Sequence, residues 1–167
     1  MTQSLAQLRC RALHRSLGIA RRLPVRGRTR AAIRVGMALF PNGTLKFATA
    51  DGLLWVLPSQ TSQAWNMAVT GRYDLPLMRI LTYLAAPRST VIDVGASLGL
   101  YSLPLAQRGM SAGFNVLAVE ANPANEQILR RGAKLNALSN LTVRGLAMGD
   151  SPGRVILDVE ASGLGNA

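Results

Sequence analysis

The chain has 167 residues, of which 49% are hydrophobic and 16% are charged. This length is typical of one domain, and the composition excludes a disordered chain and a coiled coil. No apolar stretch approaches the roughly 20 residues of a membrane-spanning helix. A single cysteine, Cys10, and a single histidine, His14, exclude an internal disulfide and a multi-cysteine zinc site. We therefore expect a globular domain without a metal site, in a reducing, cytoplasmic setting.

The formal net charge of +11 is concentrated at the start of the chain. Residues 1–50 contain ten basic side chains and no acidic one, whereas the rest is nearly neutral. Between residues 4 and 23, leucines and alanines recur at helical spacing with arginines between them, which predicts a basic amphipathic helix. We expect residues 1–43 to be a basic helical arm and linker. Such an arm can pack on a domain or, through residues 1–34, lie on an anionic membrane surface; we expect no specific nucleic-acid partner.

The following segments predict a small hairpin and a helix. At most a short helix is expected at Ala31–Phe40 within the linker. Two mostly apolar runs, Thr44–Ala50 and Leu53–Leu57, are joined by a turn signal at Asp51-Gly52, which is typical of a hairpin. Asp74–Leu84 has the pattern of a helix.

A strand, helix, strand pattern begins after this helix. Thr90–Val94 is a short, β-branched, nearly all-apolar run, and we expect it to be buried on both faces. Gly95–Gly99 then predicts a tight turn and Tyr101–Arg108 a helix. Asn115–Glu120 predicts a second buried strand. Together these segments predict one βαβ unit with parallel strands.

The same alternation continues along the chain. Asn122 is a favourable N-cap followed by proline, and the helix that it begins is expected to reach about Asn136. Leu141–Leu146 and Arg154–Val159 predict two further strands. We therefore expect an α/β fold with a Rossmann-like parallel sheet over residues 44–167, with its core starting at about residue 88 and the arm and hairpin before it.

Candidate site residues are concentrated where the first parallel strand ends. Asp93 is followed by a glycine turn that opens a helix, and Gly95 and Gly99 permit a ligand to approach the backbone closely. Glu120 ends the neighbouring strand and emerges beside this turn, where it can accept hydrogen bonds from two ribose hydroxyls. The arrangement predicts a nucleoside pocket.

Two other kinds of site fit this pattern less well. A dinucleotide fingerprint reads G-x-G-x-x-G, whereas Gly95, Ser97 and Gly99 read G-x-S-x-G, and Asp93 would repel a pyrophosphate. As the nucleophile elbow of an α/β-hydrolase, Ser97 needs an acid and then a histidine later in the chain. The only histidine is His14, which precedes it.

The segment Val91–Ser102, with the sequence Val-Ile-Asp-Val-Gly-Ala-Ser-Leu-Gly-Leu-Tyr-Ser, resembles the first motif of FkbM-type methyltransferases, which are class I S-adenosylmethionine-dependent enzymes. The resemblance covers about residues 70–167 in the same order. It extends to Gly71–Asp74, Val119–Pro123, Leu135-Asn136, Gly149–Gly153 and Gly163–Ala167. The chain departs from the family at Ser97, where asparagine is frequent, and at Ala121, where proline is common.

The resemblance implies transfer of a methyl group from S-adenosylmethionine to a hydroxyl of a sugar, a polyketide-type compound or another small molecule. It implies that the first motif lines the methionine part, Glu120 the ribose, and the loop 147–150 the adenine. No catalytic base is implied. The implied cofactor-binding residues are Asp93, Gly95, Ala96, Ser97, Gly99, Glu120, Ala121, Met148 and Asp150.

In the resembled family, further strands follow the segment Gly163–Ala167 and build the acceptor pocket. We therefore expect this chain to be the N-terminal portion of a methyltransferase, with Thr90–Val94 at an edge of its sheet. The alternative is a non-enzymatic basic interaction module built on a methyltransferase remnant.

Overall fold

A computed structural model describes residues 28–40, 43–154 and 156–157. The basic helix expected at residues 4–23 lies outside these residues. The chain divides into two compact units, one that ends at Tyr73 and one that begins at Asp74. Within the described residues, no helix is both long and apolar enough to cross a lipid bilayer.

The first unit is a hairpin with a helix on each side of it in sequence. Its two strands pair antiparallel, and Gly52 in the connecting turn has a φ of 87°, so the expected hairpin is confirmed. In chain order the elements are α1 (Arg28–Leu39), β1 (Thr44–Ala48), β2 (Leu54–Pro58) and α2 (Ser62–Thr70).

Trp65 of α2 is the centre of packing in the first unit. Its ring lies against Gly36 of α1, where an added Cβ would be 2.5 Å from the ring, and its centroid is 6.1 Å from that of Phe40. Its indole N–H donates to the carbonyl of Ser59 at 2.7 Å. Helix α1 is longer than the short helix expected in the linker, and its glycine lets it pack closely on α2. The hairpin belongs to the first unit, whereas we expected it to form one region with the residues that follow it, up to residue 167.

The second unit is an α/β fold with three parallel strands in the order β3-β4-β5. This confirms the predicted fold class. In chain order the elements are α3 (Leu75–Leu84), β3 (Thr90–Val94), α4 (Ser102–Ala112), β4 (Asn115–Val119), α5 (Pro123–Leu135) and β5 (Leu141–Arg144).

One face of this sheet is covered by two helices. Helix α4 packs on β4 and α5 on β5, and the helices meet where Gly132 of α5 lies against Leu103 of α4. The buried residues on this side are mostly aliphatic, as expected for the core of a parallel sheet. They include Leu103, Leu105, Ala106, Phe114, Val116, Ala118, Leu129 and Val143.

Strand β3 is less buried than the sequence predicted. It lies at the edge of the sheet among the described residues, as expected. The side chains of Ile92 and Val94 are 57% and 58% exposed, so the prediction of burial on both faces is wrong. The physical reason is that α4 and α5 cover only the opposite face, which carries Val91 and Asp93.

The strand expected at Arg154–Val159 is also not observed where the structure describes that segment. Arg154, Ile156 and Leu157 belong to no strand, and Ile156 is fully exposed. The other residues of the segment, 155, 158 and 159, are not among those that the structure describes. An alternating sequence forms a strand only beside a partner strand, and the described residues here have none. Strand β5 also ends at Arg144, two residues before the expected end.

Candidate functional site

The turn after β3 is built by its backbone. Gly95, Ser97 and Gly99 have positive φ angles of 76°, 49° and 83°. The N–H groups of Gly95 and Ala96 both donate to the carbonyl of Val119, at 2.9 and 3.0 Å. These hydrogen bonds fix the turn to the end of β4.

The two glycines of the turn face different surroundings. Gly95 is exposed, and no atom lies within 4 Å of the position that a Cβ would take. Gly99 is buried, and a Cβ there would collide with Leu129 of α5. Gly95 therefore leaves room for a ligand beside the turn. At Gly99 it is helix α5 that approaches the backbone closely. The sequence had suggested close approach of a ligand at both Gly95 and Gly99.

Glu120 lies beside the turn, as its position at the end of β4 predicted. Its Oε2 accepts a hydrogen bond from the N–H of Ser97 at 2.7 Å, and its Oε1 accepts one from the N–H of Asn122 at 2.8 Å. The side chain is only 6% exposed. An ionised carboxylate has about four acceptor positions, so each oxygen can accept one more hydrogen bond.

Asp93 lies on the helix-covered face of β3. It is paired in register with the buried Ala118 of β4. Its Oδ2 accepts a hydrogen bond of 2.5 Å from the hydroxyl of Ser102, the first residue of α4. The carboxylate therefore lies at the N-terminal end of α4, where unpaired N–H groups favour a negative charge.

The other predicted site residues lie farther along the chain. Ala121 follows Glu120 and is half-buried, whereas Met148 and Asp150 are exposed in the loop after β5. Oδ1 of Asp150 accepts a hydrogen bond from the hydroxyl of its neighbour Ser151 at 3.0 Å. The structure thus brings Asp93, the turn and Glu120 together but does not link the loop 147–150 to them by a hydrogen bond among the described residues.

Two features of the site were not predicted. One is the hydrogen bond from Ser102 to Asp93. The other is the hydrogen bond from the phenol of Tyr101 to Oδ2 of Asp74 at 2.8 Å, which joins the turn to the start of α3. Asp74 also caps α3 by accepting from the N–H of Leu77. Ser102 could have been noticed in the sequence because it is a hydroxyl residue at the end of the segment Val91–Ser102, where a largely apolar helix begins.

Two carboxylates determine the charge at the carboxyl ends of β3 and β4. Asp93 is the penultimate residue of β3 and Glu120 follows the neighbouring strand β4. Within the described residues no basic side chain forms an ion pair with either of them. Two negative charges at this place attract cations and repel phosphates, and the carboxylate oxygens can accept hydrogen bonds from hydroxyl groups. No group of three or more potential metal ligands occurs among the described residues.

No protein-family model matches the chain, and no curated protein sequence matches it. Solved structures do match. PH0793 from Pyrococcus horikoshii is 17% identical, covering 62% of this chain and 36% of that one, with a TM-score of 0.45. TYW2 from P. horikoshii, in complex with MeSAdo, is 20% identical, covering 66% and 38%, with a TM-score of 0.45. Coclaurine N-methyltransferase, bound to N-methylheliamine and SAH, is 14% identical, covering 84% and 44%, with a TM-score of 0.39. The chain spans less than half the length of each of these proteins.

Proposed function

We propose that the chain binds S-adenosylmethionine at the turn between β3 and α4 and that its function is methyl transfer. The observation that carries the proposal is the hydrogen bond between Glu120 and the N–H of Ser97. This bond holds a carboxylate from the end of β4 against the glycine turn that follows β3. A carboxylate in this position can accept hydrogen bonds from both hydroxyls of a ribose.

The charge of the site favours S-adenosylmethionine over a dinucleotide. Asp93 and Glu120 place two carboxylates near the turn, which opposes a pyrophosphate but suits a sulfonium and an ammonium group. The open space beside Gly95 gives the ligand access to the backbone. The residues present therefore fit the cofactor.

A hydrolase site fits the chain less well. Ser97 would need a histidine that follows it in sequence to act as the nucleophile of an α/β-hydrolase. The only histidine is His14. The backbone of Ser97 instead contributes its N–H to Glu120, which supports a binding role for the turn.

Each part of the cofactor has proposed partners in this chain. Asp93 and the turn 95–99 hold the methionine part, with Ala96 and Ser97 in the backbone that it lies against. Glu120, followed by Ala121, holds the ribose. The loop 147–150, which includes Met148 and Asp150, holds the adenine. When bound, S-adenosylmethionine supplies a methyl group made electrophilic by the positively charged sulfur.

The acceptor that we propose is a hydroxyl of a sugar, a polyketide-type compound or another small molecule. The support for this choice is the resemblance of Val91–Ser102 to the first motif of FkbM-type methyltransferases. Transfer of the methyl group to a hydroxyl oxygen releases the hydroxyl proton to a base. We assign no residue of this chain as that base.

The test of the cofactor site is a calorimetric titration of the chain with S-adenosylhomocysteine. Glu120→Gln should weaken binding by about 10- to 150-fold, because hydrogen bonds to a charged acceptor contribute roughly 1.5–3 kcal/mol. Asp51→Asn is the control, since Asp51 is an exposed carboxylate in the turn of the hairpin, and it should bind like the unmodified chain. Thermal unfolding of each variant shows that the fold is intact.

Two results would contradict the proposal. Unchanged affinity in a folded Glu120→Gln variant would remove Glu120 from the site. Binding of NADH by the unmodified chain, without binding of S-adenosylhomocysteine, would favour a dinucleotide site.

A further inference from the structure

We infer that Ser102 is a positioning residue of this site: its hydroxyl holds the carboxylate of Asp93 so that one oxygen is available to the ammonium group of the bound cofactor. The inference rests on the proposed function and assigns a role to a residue that does not itself contact the ligand. Its basis is the hydrogen bond between Ser102 and Asp93 and the burial around it.

The hydroxyl of Ser102 is committed to this one acceptor. Ser102 is fully buried and its oxygen lies 2.5 Å from Oδ2 of Asp93. A serine hydroxyl has a single proton to donate, and serines in helices commonly donate it to a nearby backbone carbonyl. Ser111 of the same helix does so, because its hydroxyl donates to the carbonyl of Arg108 at 3.0 Å. Ser102 differs in that its proton is used to hold a carboxylate.

Only one of the two carboxylate oxygens of Asp93 is hydrogen-bonded to the described part of the protein. Both oxygens of Glu120 accept hydrogen bonds from backbone N–H groups. By contrast, only Oδ2 of Asp93 has a hydrogen-bond partner among the described residues. A carboxylate that is fixed through one oxygen presents the other in a defined direction, which lowers the entropy cost of binding a cation. Oδ1 is therefore the acceptor that Ser102 makes available.

A positioning role predicts that the effect of Ser102 depends on the ligand. S-adenosylhomocysteine carries the amino-acid part whose ammonium would meet Asp93, whereas 5′-methylthioadenosine lacks it. In Ser102→Ala, affinity for S-adenosylhomocysteine should fall by about 10-fold, because a misoriented carboxylate loses most of one charge-assisted hydrogen bond. Affinity for 5′-methylthioadenosine should change by less than about 2-fold.

Three further variants test whether Ser102 acts through Asp93. Ser102→Thr keeps the hydroxyl and should retain the affinity of the unmodified chain for S-adenosylhomocysteine. Ser111→Ala removes the hydroxyl that donates to the carbonyl of Arg108 and should leave the affinity for S-adenosylhomocysteine unchanged. In an Asp93→Asn background, Ser102→Ala should add less than about 2-fold, since coupled residues are not additive. This last comparison stays decisive if the buried site does not tolerate threonine.

The outcomes separate this inference from the proposed function. Selective loss of S-adenosylhomocysteine binding, absent in the Asp93→Asn background, supports the inference. Equal loss of both ligands in Ser102→Ala, or no loss of either, overturns it and leaves the cofactor site in place. Failure of the unmodified chain to bind either ligand overturns the proposed function itself.

Discussion

Four non-glycine residues among those described have a left-handed backbone: Asp74, Arg88, Ser97 and Ala137. An L-residue pays roughly 1–2 kcal/mol for this conformation, and glycine avoids the steric part of that cost. Asp74 and Ser97 take part in the hydrogen bonds of the candidate site. Ala137, which follows α5 with a φ of 51°, has no side-chain hydrogen bond to offset the strain.

Ala137→Gly should therefore raise the free energy of unfolding by about 1 kcal/mol, because glycine is the preferred residue in this position after a helix. The measurement is urea unfolding followed by circular dichroism. The matched control is Ala133→Gly in the interior of α5, which should lower stability by about 1 kcal/mol. Loss of stability in both variants would show that Ala137 is not strained.

The sequence predicted that Asp93 and Glu120 lie near the glycine turn, but it did not predict all of their contacts. Asp93 and Glu120 could be placed because parallel strands bring their carboxyl ends to one edge of the sheet. The role of Gly99 could not be predicted, since a sequence does not distinguish close approach by a ligand from close approach by α5. The bond from Ser102 to Asp93 depends on the relative position of a helix and a strand, which no local pattern encodes.

At the scale of elements, the contact between α1 and α2 depends on Gly36. Alanine in the interior of a helix is normally more favourable than glycine by about 1 kcal/mol. Here the added methyl group would lie 2.5 Å from the ring of Trp65. Gly36→Ala should therefore lower the free energy of unfolding by roughly 1–3 kcal/mol, the usual cost of overpacking.

Helix propensity alone predicts that Gly36→Ala raises the free energy of unfolding, whereas overpacking predicts that it lowers it. Chemical denaturation of the variant distinguishes the two. Ala31→Gly, at an exposed position inside the same helix, serves as the control and should lose about 1 kcal/mol through propensity alone. A stabilised Gly36→Ala variant would mean that α1 is not packed closely on Trp65.

The edge position of β3 predicts self-association. Its outer N–H and C=O groups have no partner strand among the described residues, and Ile92 and Val94 expose apolar side chains beside them. Such edges promote pairing between chains, and a lysine at the edge suppresses it. Ile92→Lys should therefore shift the chain toward monomer in sedimentation velocity runs at several concentrations.

The control for this prediction is Tyr83→Lys, which removes a side chain that is 89% exposed on α3 without changing the strand. It should associate like the unmodified chain. If both lysine variants reduce association equally, general surface hydrophobicity is responsible and the strand edge is not.

Elements with a clear sequence period were the ones that could be predicted. The strands of the hairpin and the first two parallel strands lie within two residues of their expected bounds, because apolar runs and turn residues mark them directly. Helix α2 was not predicted. Five of its nine residues are buried, namely Ala64, Trp65, Met67, Ala68 and Val69, so it has no wide polar face to reveal a helical period.

At the scale of the whole molecule, the uneven charge leaves two roles for the basic arm, packing on the domain or binding to anionic membranes, and a vesicle experiment tests the second. Deletion of residues 1–27 should abolish sedimentation with vesicles that contain phosphatidylserine at low salt. The deletion stops there because α1 begins at Arg28. Vesicles of phosphatidylcholine alone are the control and should bind neither form. Equal sedimentation of the two forms with the anionic vesicles would exclude the arm as a membrane anchor.

The order of the parallel strands has a consequence for how the second unit is assembled during synthesis. Thr90 pairs with Asn115 and Val116 pairs with Leu141, so each pairing joins residues 25 positions apart. Equal loops have similar closure entropy, and each strand pairs with the one made just before it. The glycine turn and Glu120 can thus come together before β5 has been made, and the two carboxylates of the candidate site belong to the first strand pairing of the unit that can form.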